Sequence, residues 1–125
     1  NDRLVAFLDN GPIRPGHVQI IPVAHYDYFE NLPEEIAQEI IVLAPSIARC
    51  QKFLFSVKRV AFLFTGSDIP HAHCHLVPMV EKTDITSRRY ITESNLSFKS
   101  LPNPSVIELR TTAAQLSKEL NKQGD

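Results

Sequence analysis

Histidines stand at positions 71, 73 and 75, separated by Ala72 and Cys74 and followed by Leu76 and Val77. No other stretch restricts the fold of this chain as tightly. Side chains on a strand alternate between faces. In an extended backbone the three imidazoles therefore share one face, while Ala72, Cys74 and Leu76 share the other. The run predicts a strand over 71–77, stopped by Pro78, with its apolar face on a core. Cys74 falls on the core side, as a buried and inert thiol rather than a partner of the histidines.

The rest of the chain supplies a sheet and two helices. Leu4 to Leu8 is a short apolar run closed by Asp9-Asn10-Gly11-Pro12, and Arg14-Pro15-Gly16 marks a second turn. Val18 to Val23, rich in β-branched residues, reads as a strand. The loop between the two is too irregular for a two-residue hairpin. Asn31-Leu32-Pro33-Glu34-Glu35 reads as a helix start, with Asn31 as cap and the acids at the positive end of the helix dipole. Ile36, Ile40, Leu43 and Ile47 then recur at helical spacing. Pro45 predicts a kink or interruption, because it removes a donor and crowds the preceding turn. Val60 to Phe64 is wholly apolar and reads as a central strand, with Phe62 and Phe64 in the core. Thr65 to Asp68 is a loop. Glu81 to Lys99 is polar and mixed, and Arg88 and Arg89 read as a solvated pair. Asn103-Pro104 opens a helix over residues 104–122 with an apolar stripe of Ile107, Ala113, Leu116 and Leu120. The expected architecture is α+β, an antiparallel sheet of about five strands with two helices.

Composition narrows the function. The 125 residues suit one domain over 1–125, since a single core of this size removes about two-thirds of the unfolded surface from water. With 13 basic and 14 acidic residues the formal charge is −1. That balance gives no broad attraction to nucleic acid or to an anionic membrane, so any phosphate must be held by a local site. No apolar run approaches the roughly 20 residues that span a bilayer. The start, Asn1-Asp2-Arg3, has no signal-peptide pattern, and its lack of Met points to trimming or processing. Cys50 and Cys74 form no CxxC pair and are expected as reduced thiols in a cytoplasmic protein.

The histidine row admits three readings. As a metal site it is limited: residues four apart on a strand lie roughly 13 Å from each other, so one ion takes at most two of the three, with His17 or His25 as further ligands. As a catalytic row it offers a central imidazole nucleophile, effective on phosphorus near neutral pH, with flanking donors for phosphate oxygens. The third reading gives the histidines no role.

The motif His71-Ala72-His73-Cys74-His75-Leu76-Val77 resembles the signature of the histidine triad family of nucleotide hydrolases and transferases, three histidines alternating with apolar residues. The likeness extends to Phe7-Leu8-Asp9 and to Arg14-Pro15-Gly16-His17-Val18, leading to Ile21-Pro22 and His25. It also takes in the loop Gly66-Ser67-Asp68-Ile69-Pro70, similar to the short loop of bacterial members. It covers residues 4–80, and the segment after Glu81 lies outside it.

The resemblance implies a homodimer whose sheets join across the interface. It also implies cleavage at the α-phosphorus of a nucleotide, an adenine nucleotide first among the expected substrates. His73 would be the nucleophile, forming a nucleotidyl-histidine intermediate, with His71 and His75 positioning the phosphate. His25 would complete the phosphate site as the fourth histidine, Asp9 would accept from ribose hydroxyls, and Phe7 and Asn10 would line the base pocket. No metal or other cofactor is implied for the chemical step. Ser67 stands where short-loop members usually carry Asn, with Thr65 as its substitute donor, and Asp68 brings a carboxylate towards the phosphate. Those two changes leave a nucleotide sensor on the same fold as the alternative to a hydrolase of phosphoramidates or dinucleoside polyphosphates. His75 argues against the transferase branch, which usually carries Gln there. For His17 the expectation is a ring that buttresses the strand start.

Overall fold

The computed structural model describes residues 1–66, 69–85 and 102–124. Its elements are β1 (Leu4–Leu8), β2 (Val18–Pro22), a 3-10 turn (Phe29–Asn31), α1 (Glu34–Phe55), β3 (Arg59–Phe64), β4 (Cys74–Met79) and α2 (Val106–Gln123). The four strands pair antiparallel throughout, in the order β1-β2-β4-β3. With two helices this is the α+β architecture expected, built on four strands among the described residues.

Register sorts the side chains into rows. Leu8, Val18, Leu76 and Phe62 form one row across the sheet, and Ala6, Ile20, Cys74 and Phe64 another. These rows meet α1, whose Ile36, Ile40, Ala44, Ile47 and Cys50 recur every three or four residues and are buried. Leu116 of α2 closes the same core. Between the two rows lies a third, Phe7, Gln19, His75 and Leu63, and alternation turns it to the opposite face. Cys74 is fully buried, which pushes its thiol up to about 12, and burial raises Cys50 as well. Both cysteines are free thiols.

Several elements differ from expectation, each for a local reason. β4 begins at Cys74 rather than His71. The amide of Ala72 donates to Tyr26 O at 2.6 Å and that of His71 to Ile69 O at 2.8 Å, so these residues bind a loop instead of a ladder. Pro78 does not stop β4, because β2 pairs no further than Leu76 and the proline sits beyond its end. β3 is an edge strand and not a central one, and its Phe62 is 38% exposed. α1 runs unbroken through Pro45. The proline lies on the solvent side, as does Ile41, so the carbonyl it orphans can bind water. Asn31 belongs to the 3-10 turn, and Pro33 stands at the N-cap of α1. In α2 the cap is Ser105, which accepts from the Glu108 amide while Glu108 accepts from the Ser105 amide. Ile107, expected in the apolar stripe, is 75% exposed, and Leu116 and Leu120 carry the packing.

Candidate functional site

The histidine rings collect where β4 begins beside β2. His73 is nearly buried, and its Nδ1 donates to the carbonyl of His71 at 2.7 Å. A neutral ring so bound carries its lone pair on Nε2. His75 stacks edge-on against it, ring centroids 5.0 Å apart.

The tautomer of His75 is set from a distance. The Ile13 amide donates to Nδ1 of His17 at 3.2 Å, so His17 carries its hydrogen on Nε2. That nitrogen lies 2.9 Å from Nδ1 of His75 and donates to it, which leaves the hydrogen of His75 on Nε2. A backbone amide thus fixes two imidazoles in series. His17 does buttress the strand start, as expected, but it also enters the row. Its partner is 58 residues away in sequence, and only the β2–β4 register brings the two together.

Burial pushes the His17 imidazole down to about 4, against the favourable charge of Asp9 and with some help from His75. Unfolded, the ring titrates near 6.5. Between those values the unfolded chain takes up a proton that the native state refuses, so stability falls as pH is lowered through this window. The expected result is an unfolding midpoint that drops from pH 6.5 towards pH 4 in the parent chain and drops less in His17→Gln. Parallel pH curves for the two proteins would contradict the burial of a neutral ring.

Asp9 follows β1 at the far side of this pair. Its Oδ1 accepts from the Gly11 amide at 2.8 Å, the turn expected of Asp-Asn-Gly. Its Oδ2 accepts from Gln19 Nε2 at 2.6 Å and lies 3.7 Å from His17 Nε2. Burial alone would raise its carboxyl. The hydrogen bonds from Gln19 and Gly11, with the nearby His17 and His75, outweigh that and hold it below the ordinary value. Gln19 was not singled out from sequence. Its signal was a lone polar residue in the apolar run Val18-Gln19-Ile20-Ile21, opposite His75. Phe7 is Gln19's other cross-strand neighbour and is 41% exposed, and Asn10 is exposed in the turn.

His25 and His71 form a second pair. His71 donates from Nε2 to Pro22 O at 2.9 Å, and its Nδ1 faces Nδ1 of His25 at 3.2 Å. The Nε2 of His25 lies 2.7 Å from the Asp27 carboxylate. His25 is thus exposed and tied to the first histidine of the motif, while His17 is the ring that contacts the third. Two imidazoles so backed can both turn toward one ion, but two ligands do not close a site. Asp9, His17 and His75 also offer three donor atoms within 4.8 Å of one another. The hydrogen bond from Ile13 opposes that use. A metal on Nε2 of His17 needs the hydrogen on Nδ1, where an amide already points.

Two cavities open beside the rings. One, about 410 Å³, is lined by Asp9, Pro12, Pro15 and His17, by Pro104 just before α2 and by Ile107 in its first turn. The C-terminal segment, to which the sequence assigned no part, therefore supplies one wall. The other, about 230 Å³, is lined by His73, Thr65, Gly66, Tyr28, Phe29 and Phe64. Ser67, Asp68, Arg88 and Arg89 lie outside the described residues. Arg14 pins the β1–β2 loop by two bonds, 2.7 and 3.0 Å, to Asp84 after β4. Those bonds hold the Asp84 carboxyl at about 2.

A family model described as the HIT domain matches residues 1–82. An HIT-like protein of Saccharolobus solfataricus is 32% identical over 83 residues, covering 62% of this chain and 60% of its own length. The adenosine 5′-monophosphoramidase HNT1 of Saccharomyces cerevisiae is 30% identical over 74 residues, 58% of this chain and 47% of that protein. This chain thus spans well under two-thirds of either relative. Among solved structures, a hypothetical histidine triad nucleotide-binding protein of Sulfolobus tokodaii superposes with a TM-score of 0.77 at 18% identity, covering 98% of this chain and 80% of the other. That likeness carries the fold: an antiparallel sheet under two helices. The matched residues 1–82 hold all four strands, α1 and every histidine described above, and by that match the chain belongs to the histidine triad, or HIT, family.

Proposed function

We propose that the protein binds a nucleotide and hydrolyses it at the α-phosphorus, with His73 as the nucleophile. The observation that carries this reading is the 2.7 Å bond from His73 Nδ1 to the His71 carbonyl, which leaves a lone pair on Nε2 in a nearly buried ring. In the first step that lone pair forms an N–P bond, and the bond from phosphorus to the leaving group breaks. The leaving group departs with the electron pair and takes a proton from solvent, which the water of the second step returns. The ring keeps its Nδ1 hydrogen on the carbonyl, which disperses the positive charge it gains. His75, carrying its hydrogen on Nε2, is a donor for the phosphoryl oxygens as charge gathers on them. Water then breaks the N–P bond, releasing the nucleoside monophosphate and restoring neutral His73.

Asp9, ionised and fixed by Gln19, suits the ribose hydroxyls, and Phe7 and Asn10 are assigned to the base in this reading. His71, His25 and Thr65 complete the phosphate side in this reading, together with Ser67. An amine or a phosphate serves as leaving group, and the phosphoramidase named among the relatives supports the amine. No cofactor enters the scheme. The protein acts as a homodimer joined through the open edge of β3, whose apolar residues are half-exposed. Sedimentation at the mass of two chains is the expected result, and a single-chain mass would exclude that part. Two buried free thiols fit a reducing, cytoplasmic setting, and no helix among the described residues is long and apolar enough to cross a membrane.

The test is AMP release from adenosine 5′-phosphoramidate and from diadenosine tetraphosphate, measured side by side. Release from either supports the hydrolase, with the faster substrate naming the leaving group. AMP binding with no release from either would replace it with the nucleotide sensor.

A further inference from the structure

Gln51 is the one polar residue of α1 that is fully buried, and its place in the core has no explanation in packing alone. Its Nε2 donates to Gly16 O at 2.8 Å and to Leu76 O at 2.9 Å. Two carbonyl partners fix which end of the amide is nitrogen. Gly16 directly precedes His17, and Leu76 directly follows His75. One side chain thus holds the backbone on both sides of the 2.9 Å contact between those rings. One helical turn further on, Phe55 packs its ring edge against Gly16, so two residues of α1 grip the same peptide unit. The Oε1 of Gln51 has no hydrogen-bond partner among the described residues. An unpaired buried acceptor costs stability. A methionine would fill the same volume without that cost. Keeping a glutamine here is explained by what its two hydrogens hold.

We propose that Gln51 is a positioning residue: from α1 it sets the spacing between β2 and β4 at which His17 donates to His75, and so keeps His75 in the tautomer with its hydrogen on Nε2. Its effect on turnover rests on the hydrolase reading above. Its effect on the rings does not. Without the clamp, Gly16 and Leu76 lose their shared partner, the two strands part slightly at this point, and the His17–His75 bond lengthens. His75 then exchanges between tautomers.

The experiment compares the full-length parent chain with Gln51→Met by 15N-detected NMR of the imidazole nitrogens, and by AMP release. The parent is expected to show His75 with an acceptor-type Nδ1 and a protonated Nε2. Gln51→Met is expected to show averaged Nδ1 and Nε2 shifts for His75. It should release AMP about tenfold more slowly, with KM changed less than twofold, since misplacement of a catalytic group acts on the chemical step. A single, parent-like tautomer in Gln51→Met would overturn the proposal even if thermal stability fell, because a merely structural glutamine would move stability alone. Should Gln51→Met fail to fold, the same spectrum of Gln51→Glu decides. Ionised, that side chain can donate to neither carbonyl, so averaged shifts are expected for His75 near neutral pH, and a single, parent-like tautomer there would overturn the proposal. If the parent releases no AMP, the hydrolase reading fails and the spectra still decide the role of Gln51.

Discussion

His73→Ala is expected to cut AMP release by on the order of 10³-fold or more, because removing a nucleophile removes the covalent route itself. Affinity for AMP should change only a few-fold. The groups assigned to the nucleoside, Phe7, Asp9 and Asn10, lie on β1 and in the turn after it, and among the described residues none of them hydrogen-bonds to His73. Loss of the ring also leaves the backbone intact. Its Nδ1 bond runs only to the carbonyl two residues before it. Rapid-quench measurement of AMP release, with calorimetric binding of AMP to both proteins, checks the two halves of the expectation. A variant retaining activity within about tenfold of the parent would remove His73 from the reaction. A variant that neither turned over nor bound AMP would mean that the ring serves binding instead.

Gly16→Ala is expected to have the largest effect on stability. Gly16 has φ +85°, and a Cβ there would lie 2.1 Å from Cε2 and 2.4 Å from Cζ of Phe55. A non-glycine residue in the left-handed region costs about 1–3 kcal/mol, and forcing extra volume into a packed site about 1–3 kcal/mol more. Their sum, roughly 2–6 kcal/mol, is a large part of the total stability of a domain this size. Thermal unfolding by circular dichroism should show a midpoint lower by at least about 6 °C. The two costs separate by experiment. In a Phe55→Ala background the clash is gone, so Gly16→Ala should lose only the backbone part. Gly11 gives the contrast: a Cβ there meets nothing closer than Asp9 Oδ1 at 3.8 Å, so Gly11→Ala should change the midpoint little. Equal effects at the two glycines would mean that neither the left-handed backbone nor the Phe55 contact carries a cost at Gly16.

What could be read from the sequence was whatever rests on short spacing. The alternation of His73, Cys74, His75 and Leu76 placed core and site on opposite faces, and the structure keeps them there. The period of Ile36, Ile40 and Ile47 gave α1. The sequence offered His17 only as a further metal ligand or a buttress, and its hydrogen bond to His75 was not legible, because it depends on a register between residues 58 apart in sequence. Gln19 and Gln51 escaped notice for the same reason, since each owes its role to a partner on another element. The edge position of β3 was misread because an apolar run looks alike in a central strand and in an edge strand whose residues are half-exposed. Pro45 looked disruptive because its cost depends on whether the orphaned carbonyl meets water, and that is a property of the helix face.

The wall that α2 gives to the cavity beside Asp9 has a consequence for how such a molecule can diversify. The family model ends at residue 82, and that wall is built from residues 102–112. In the proposed reading, the bond-breaking groups and part of the ligand's enclosure are therefore encoded in separate stretches of the gene. A substitution at Pro104 or Ile107 reshapes the space without moving an imidazole, so new ligands can be tried against unaltered chemistry.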